Sequence, residues 1–327
     1  MDAMTSTNTP ETTRTDSPAK LAGLVIGLLA VVCLMLLAFA TPSLQSGAKD
    51  LPLAVSGPVA ATQQLTATIE AKSPGTFSVT TYTTAEDGAA AITHRDAIGG
   101  IAVGADGVTI QTAAGAGSPY TQLLKGVGTQ LLQGGQKVTF QELAPTTADD
   151  PSGLAIGVLG LPLVFGGLAA SAALVVAYKG AARNRFVAAF ALAILAGLAT
   201  TAILQFGFGA FDGNYWLTSA AVATGILAIS FPALGLEQRL GYAGLGIMGV
   251  LLIFLSNPLS GLATGPQWLP GWAAFGQLLP IGAAGSAIRS AVYFDGAGAT
   301  LGWVVLACWA LAGLAVGLIP SRRAKSA

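Results

Sequence analysis

Charge is what this sequence most lacks. Only 9% of its 327 residues are Asp, Glu, Lys or Arg, against about a quarter in a soluble domain. A chain this poor in charge cannot cover a folded surface with water-seeking groups, so much of that surface must face lipid. The 15 basic and 15 acidic residues cancel, and no basic stripe of the kind that binds nucleic acid is present. Cysteine is almost missing. Cys33 and Cys308 lie inside apolar runs, without Cys or His at metal-ligand spacing, and read as small apolar packing residues. The single histidine, His94, sits in Thr93-His94-Arg95-Asp96. A catalytic base needs a nucleophile and an orienting acid beside it; the commoner home for such a residue is a solvated helix end. No phosphate loop of the Walker type occurs.

Acids are rarest where ion coupling would need them. After position 153 the only carboxylates are Asp212, Glu237 and Asp295, all at expected connectors. A proton- or sodium-driven transporter carries an acid within the membrane to hold the ion. A membrane hydrolase or glycosyltransferase needs a carboxylate pair or an activated nucleophile. Neither inventory is here, so the chain reads as a non-enzyme without metal or cofactor.

What the chain has is apolar length. Hydrophobic residues make up 53% of it, and mean hydropathy is +0.68. Residues 1–20 are rich in Thr, Ser and Pro and read as a disordered cytoplasmic tail. Leu21–Ala40 is uncharged and long enough for a hydrocarbon core of about 30 Å. Its end, Ala38-Phe39-Ala40, offers a signal-peptidase site. The run exceeds the usual signal core of about 7–15 residues, which favours a retained anchor over cleavage after Ala40.

Residues 41–152 change character, with charge returning and short alternating apolar runs between turn residues. The pattern predicts strands at Leu53–Ser56, Phe77–Tyr82, Gly100–Val103, Val108–Thr112 and Val138–Leu143. It predicts helices at Pro58–Ala71, Ala85–His94 and Ser118–Leu132, which together make an α/β sandwich. Asp149-Asp150-Pro151 marks the return to apolar sequence. Further spans are expected at Leu154–Tyr178, Phe186–Phe206, Trp216–Leu236, Leu240–Leu255 and Thr300–Leu318. Gly241, Gly244, Gly246 and Gly249, and the Gly313/Gly317 pair, read as close-packing devices.

Basic residues set the orientation, since they are retained on the cytoplasmic side. Lys179, Arg183 and Arg185 share one connector, Arg239 lies in another, and Arg322, Arg323 and Lys325 lie in the 321–327 tail. The alternate connectors carry Tyr215, Trp216, Trp268, Trp272, Tyr293 and Trp303. Both termini are therefore expected inside and the 41–152 domain outside. Within the 153–320 membrane region, the stretch 256–299 is apolar but interrupted by Pro258, Pro266, Pro270 and Pro280. A full crossing there would strand the C-terminal cations outside, so a re-entrant hairpin is expected, with Asn257, Gln277 and Arg289 as its polar members. The expected fold is a membrane all-α bundle of about six transmembrane helices with an inserted extracytoplasmic α/β domain.

Several stretches of text resemble a known family. Leu53-Ala54-Val55-Ser56 followed by a helix, and Ala89–Thr93 leading into Ile98-Gly99-Gly100-Ile101-Ala102-Val103, are similar to the outer domains of type-2 ATP-binding-cassette exporter permeases. Asn257-Pro258-Leu259-Ser260-Gly261, Leu269-Pro270-Gly271-Trp272, Leu279-Pro280 and Tyr293-Phe294 resemble their outer hairpin. The layout is closest to the YhgE/Pip, or phage-infection-protein, branch. The resemblance implies a bacterial plasma-membrane permease that exports a hydrophobic or amphipathic compound or an envelope component. It further implies a separate ATPase subunit and a homodimer or a pairing with a similar permease. Asn257, Gln277 and Arg289 would line the exit, and Lys179, Arg183 and Arg185 would meet the ATPase. The connector Lys179–Arg185 departs from the family pattern, being short and lacking its Glu-rich motif. The alternative is a non-transporting envelope protein whose outer domain binds a partner or surface ligand.

Overall fold

A computed structural model describes residues 18–319. The tails expected at either end, with Arg322, Arg323 and Lys325, lie outside the described residues, except that helix already begins at Pro18. Helix α1 spans Pro18–Gln45, longer at both ends than the apolar run Leu21–Ala40. Then follow β1 (Leu51–Ser56), α2 (Val59–Lys72), β2 (Phe77–Tyr82), α3 (Ala85–Thr93), β3 (Gly99–Gly104), β4 (Gly107–Thr112), α4 (Ser118–Gln133) and β5 (Val138–Glu142). The strands form one mixed sheet in the order β2-β1-β3-β4-β5. β1 pairs parallel with β2 and β3, β3 antiparallel with β4, and β4 parallel with β5.

That order fixes where the helices go. The chain moves one way across the sheet from β1 to β2 and the other way from β2 to β3, so right-handed crossovers put α2 and α3 on opposite faces. Strand alternation sorts the side chains to match. Leu51, Leu53, Val55, Ile101 and Ile110 pack with Leu65 and Ile69 of α2 and Leu124 of α4. Ala54 faces the other way, toward Ile92 of α3. Thr84 caps α3 by accepting the Asp87 N–H.

Beyond the sheet the chain is helical: α5 (Ala155–Ala177), α6 (Ala182–Gly207), α7 (Tyr215–Leu240), α8 (Tyr242–Ser256), α9 (Pro280–Tyr293) and α10 (Thr300–Leu318). Asp150 starts this half. Its carboxylate accepts the Leu154 and Ala155 N–H groups, each at 2.8 Å, and so satisfies amides that a helix N-terminus leaves unpaired. Among the described residues, α1, α5, α6, α7 and α10 are long and apolar enough to cross a bilayer, and the chain is a helical membrane protein. The span expected at Leu240–Leu255 forms α8, an apolar helix of about 22 Å, shorter than the other five. Gly241, with φ +63°, breaks it from α7, and it widens into a π-helical turn over Leu251–Ser256.

Helix α7 is the bundle's centre, with Ala221, Ile226, Ile229 and Ala233 buried against the other helices. Its closest neighbour is α10. A Cβ on Gly313 would run into Pro232 N, and one on Gly235 would run into Gly313 O. The helices touch backbone to backbone, which only glycine permits. Gly244 packs as closely on Leu236, whereas Gly241 and Gly246 face open space.

Candidate functional site

The stretch between α8 and α10 leaves the regular bundle geometry. Helix α8 ends at Ser256, whose Oγ accepts the Ile281 N–H at the start of α9 at 2.9 Å. Between these neighbours the chain runs up to the sheet and back. At the top, a Cβ on Gly265 would sit 2.5 Å from the Tyr120 ring, and Trp268 O accepts the Gly47 N–H at 3.0 Å. The 3-10 turn Gly271–Leu278 then descends until Leu278 O accepts the Trp309 indole N–H, midway along α10, at 2.9 Å. Pro266 and Pro280 each open a helical turn, where the missing proline N–H has no partner to lose. Helix α9 climbs back as the most enclosed element, with Pro280 through Gly285 and Ala287 through Val292 buried.

Two arginines fasten this element to the sheet. Arg289 of α9 is 4% exposed and donates to Ala116 O at 2.8 Å, Gly115 O at 3.2 Å and Leu262 O at 2.6 Å, with Gly261 O at 3.5 Å. Arg95, just past α3 with φ +68°, donates to Ser286 O at 2.9 Å and Ser286 Oγ at 3.2 Å. Its guanidinium also lies 5.6 Å from the Phe294 ring centre. Burial, with the Arg289 charge adding to it, lowers the Arg95 pKa to about 10, so it stays a cation at neutral pH. Tyr120 OH donates to Gln267 Oε1 at 3.1 Å; burial pushes its pKa up, which keeps the phenol a donor. A Cβ on Gly115 would collide with the Tyr293 side chain, so the surfaces meet without a gap.

Of the three polar residues expected along an exit, Gln277 and Arg289 reach one loop with their side chains, and Asn257 opens that loop through its backbone oxygen. Asn257 O accepts the Ser260 hydroxyl at 2.7 Å, Gln277 Nε2 donates to Ser260 O at 2.9 Å, and Arg289 reaches Leu262 O. Gln277 also lines a cavity of about 420 Å³ with Gln45, Lys49, Asp50 and Gln267. Asn257 lines a separate cavity of about 330 Å³ with Phe39, Ser43 and Trp268. At the opposite end of the bundle the connector is shorter than expected. Helix α6 begins at Ala182, which puts Arg183 and Arg185 in a first turn where the helix dipole disfavours cations. An ion pair offsets this for Arg185, whose Nη1 is 3.2 Å from Glu237 Oε2, while its Nε donates to Tyr178 O. Lys179 Nζ donates to Val175 O at 3.2 Å, and Arg183 is exposed. His94 is the exposed C-cap of α3.

Sequence reasoning missed Arg95, Tyr120 and the Gln45–Asp50 linker. Trp268 and Trp272 stand out in the sequence as anchors, and their spacing from the prolines is the available signal. Among the described residues no three His, Cys, Asp or Glu side chains group so as to hold a metal. No protein-family model, curated protein or solved structure matches the chain.

Proposed function

We propose that the protein is a permease that exports a hydrophobic or amphipathic compound, or an envelope component, with energy from a separate ATP-binding-cassette ATPase. It would act in a bacterial plasma membrane as a homodimer or paired with a similar permease. The observation that carries this reading is the irregular segment 257–279, flanked by two cavities and capped by the start of α4 and by the linker after α1. Non-helical backbone at membrane depth is tolerated where protein or a watered cavity covers it, which is how transport paths are built. In this reading six helices cross, α8 being the short one, and the sheet is extracytoplasmic. Arg185, Glu237 and Arg239 gather at one end of the bundle, which supports a cytoplasmic assignment for that end. Arg183 is then the exposed cation offered to an ATPase. The test is cross-linking in native membranes followed by purification of the tagged full-length protein. An ATPase should co-purify and fall by about ten-fold with Arg183→Glu, a loss of about 1.4 kcal/mol. Recovery of no ATPase overturns the export reading.

One observation favours a non-transporting envelope protein. The connector between α5 and α6 spans only residues 178–181, and Lys179 and Arg185 are both bonded within the chain. Of the three connector cations, that leaves Arg183 alone unengaged by the chain among the described residues. Capture of an envelope partner through the sheet, with no ATPase in the same cross-linked sample, would establish this second reading.

A further inference from the structure

Helix α1 stands apart from the bundle. Residues 18–37 are exposed, and only from Ala38 to Pro42 is the helix partly covered. The gap between α1 and α8 is a groove of about 520 Å³ lined by Leu34, Leu37, Ala38, Val250, Phe254 and Phe275 among others. Leu37 is 59% exposed and Val250 58%. Among the described residues that line the groove none carries a charge, so it offers hydrocarbon an apolar surface. The wall on the α8 side includes the π-helical turn Leu251–Ser256, a geometry frequent at functional sites.

One turn further along α1 the chemistry reverses. The 420 Å³ cavity takes Gln45 from the end of the same helix and Gly271 and Ala274 from the turn that gives Trp272 and Phe275 to the groove. Trp272 Nε1 donates to Gln45 Oε1 at 2.8 Å, so groove and cavity share a wall at this bond. Three amides line the cavity, each half engaged. Gln45 and Gln267 use their carbonyl ends on Trp272 and Tyr120, and Gln277 uses its NH₂ on Ser260. Two amide NH₂ groups and the Lys49 ammonium are thereby left as donors, and Gln277 Oε1 and the Asp50 carboxylate as acceptors.

We propose that groove and cavity together bind one ethanolamine phospholipid. An acyl chain lies along Leu34–Pro42, about 12 Å of helix. Lys49 and the amide NH₂ groups take the phosphate, and Asp50 with Gln277 Oε1 takes the headgroup ammonium. Acceptors paired with donors distinguish this headgroup from choline, which has no N–H to give, and from glycerol, which has no cation. The site stands whether or not the protein exports anything.

Native mass spectrometry of the full-length protein in detergent tests it, with ethanolamine, choline and glycerol phospholipids of identical chains added at equal concentration. One ethanolamine lipid should be retained about ten-fold over the other two, the size of effect expected from a charge-assisted hydrogen bond. Asp50→Asn, a substitution that tolerates the φ of +49° at that position, should cut ethanolamine-lipid retention to the choline level and leave the glycerol lipid unchanged. Ala38→Trp should fill the groove and reduce all three. Equal retention of the three lipids by the wild-type chain overturns the proposal, as does unaltered ethanolamine preference in Asp50→Asn. Because Asp50 is exposed, that variant reads the headgroup site even if Ala38→Trp fails to fold.

Discussion

The two ends of the bundle are fastened with the same residue type, and among the described residues a carboxylate takes part at only one of them. At the sheet side, Arg289 is buried among carbonyl oxygens of two loops, and Arg95 reaches a backbone oxygen 191 positions away. At the opposite end, Arg185 meets Glu237 with both side chains about one-sixth exposed, and Arg239 holds the last turn of α10 through Val316 O. A buried cation without an anion has only its hydrogen bonds to replace hydration, so each is obligatory. A pair within reach of water can part and be solvated. The bonds of Arg289 are therefore ones that nothing else can replace, whereas water can stand in for either partner of the Arg185–Glu237 pair.

Substitutions rank the two ends. Arg289→Leu leaves several buried carbonyls without a donor and should cost about 3 kcal/mol or more, at about 1 kcal/mol per bond, read as a lowered unfolding midpoint in detergent. Gly115→Val drives a side chain into Tyr293 and should cost about 2–3 kcal/mol, the upper part of the range for overpacking; the same melt checks it, with proteolysis of the sheet reporting separation. Arg95→Leu removes the bonds to Ser286 and the contact with Phe294, for about 2 kcal/mol. Glu237→Gln, at the opposite end, should cost below about 1 kcal/mol, as partly exposed pairs do. A larger loss for Glu237→Gln than for Arg95→Leu would break the contrast.

Much of the architecture was legible because period and punctuation act locally. Phe77–Tyr82 and Thr300–Leu318 form over the residues expected, and the other strands and the helices between them differ by a residue or two at their ends. Alternation and turn residues are properties of neighbours in sequence. The junction was not legible for the complementary reason. Arg289 donates to backbone oxygens, which every residue carries, so no pattern of side chains announces its partners. The sequence suggests a residue lining an exit, and the structure adds that its guanidinium holds carbonyl oxygens of two loops. Lys49 and Asp50 look like ordinary linker charges until the fold sets them beside Gln267 and Gln277.

The roofing of α9 by the sheet also imposes an order on biosynthesis. The strands lie within residues 51–142, whereas Arg289 and the loop that seats Tyr120 are made more than a hundred residues later. At roughly 10 residues per second, the newborn sheet waits on the order of ten seconds before its floor arrives. Until then the oxygens of Gly115 and Ala116 stay hydrated, and the last helices to leave the ribosome are what turn a tethered sheet into a docked one.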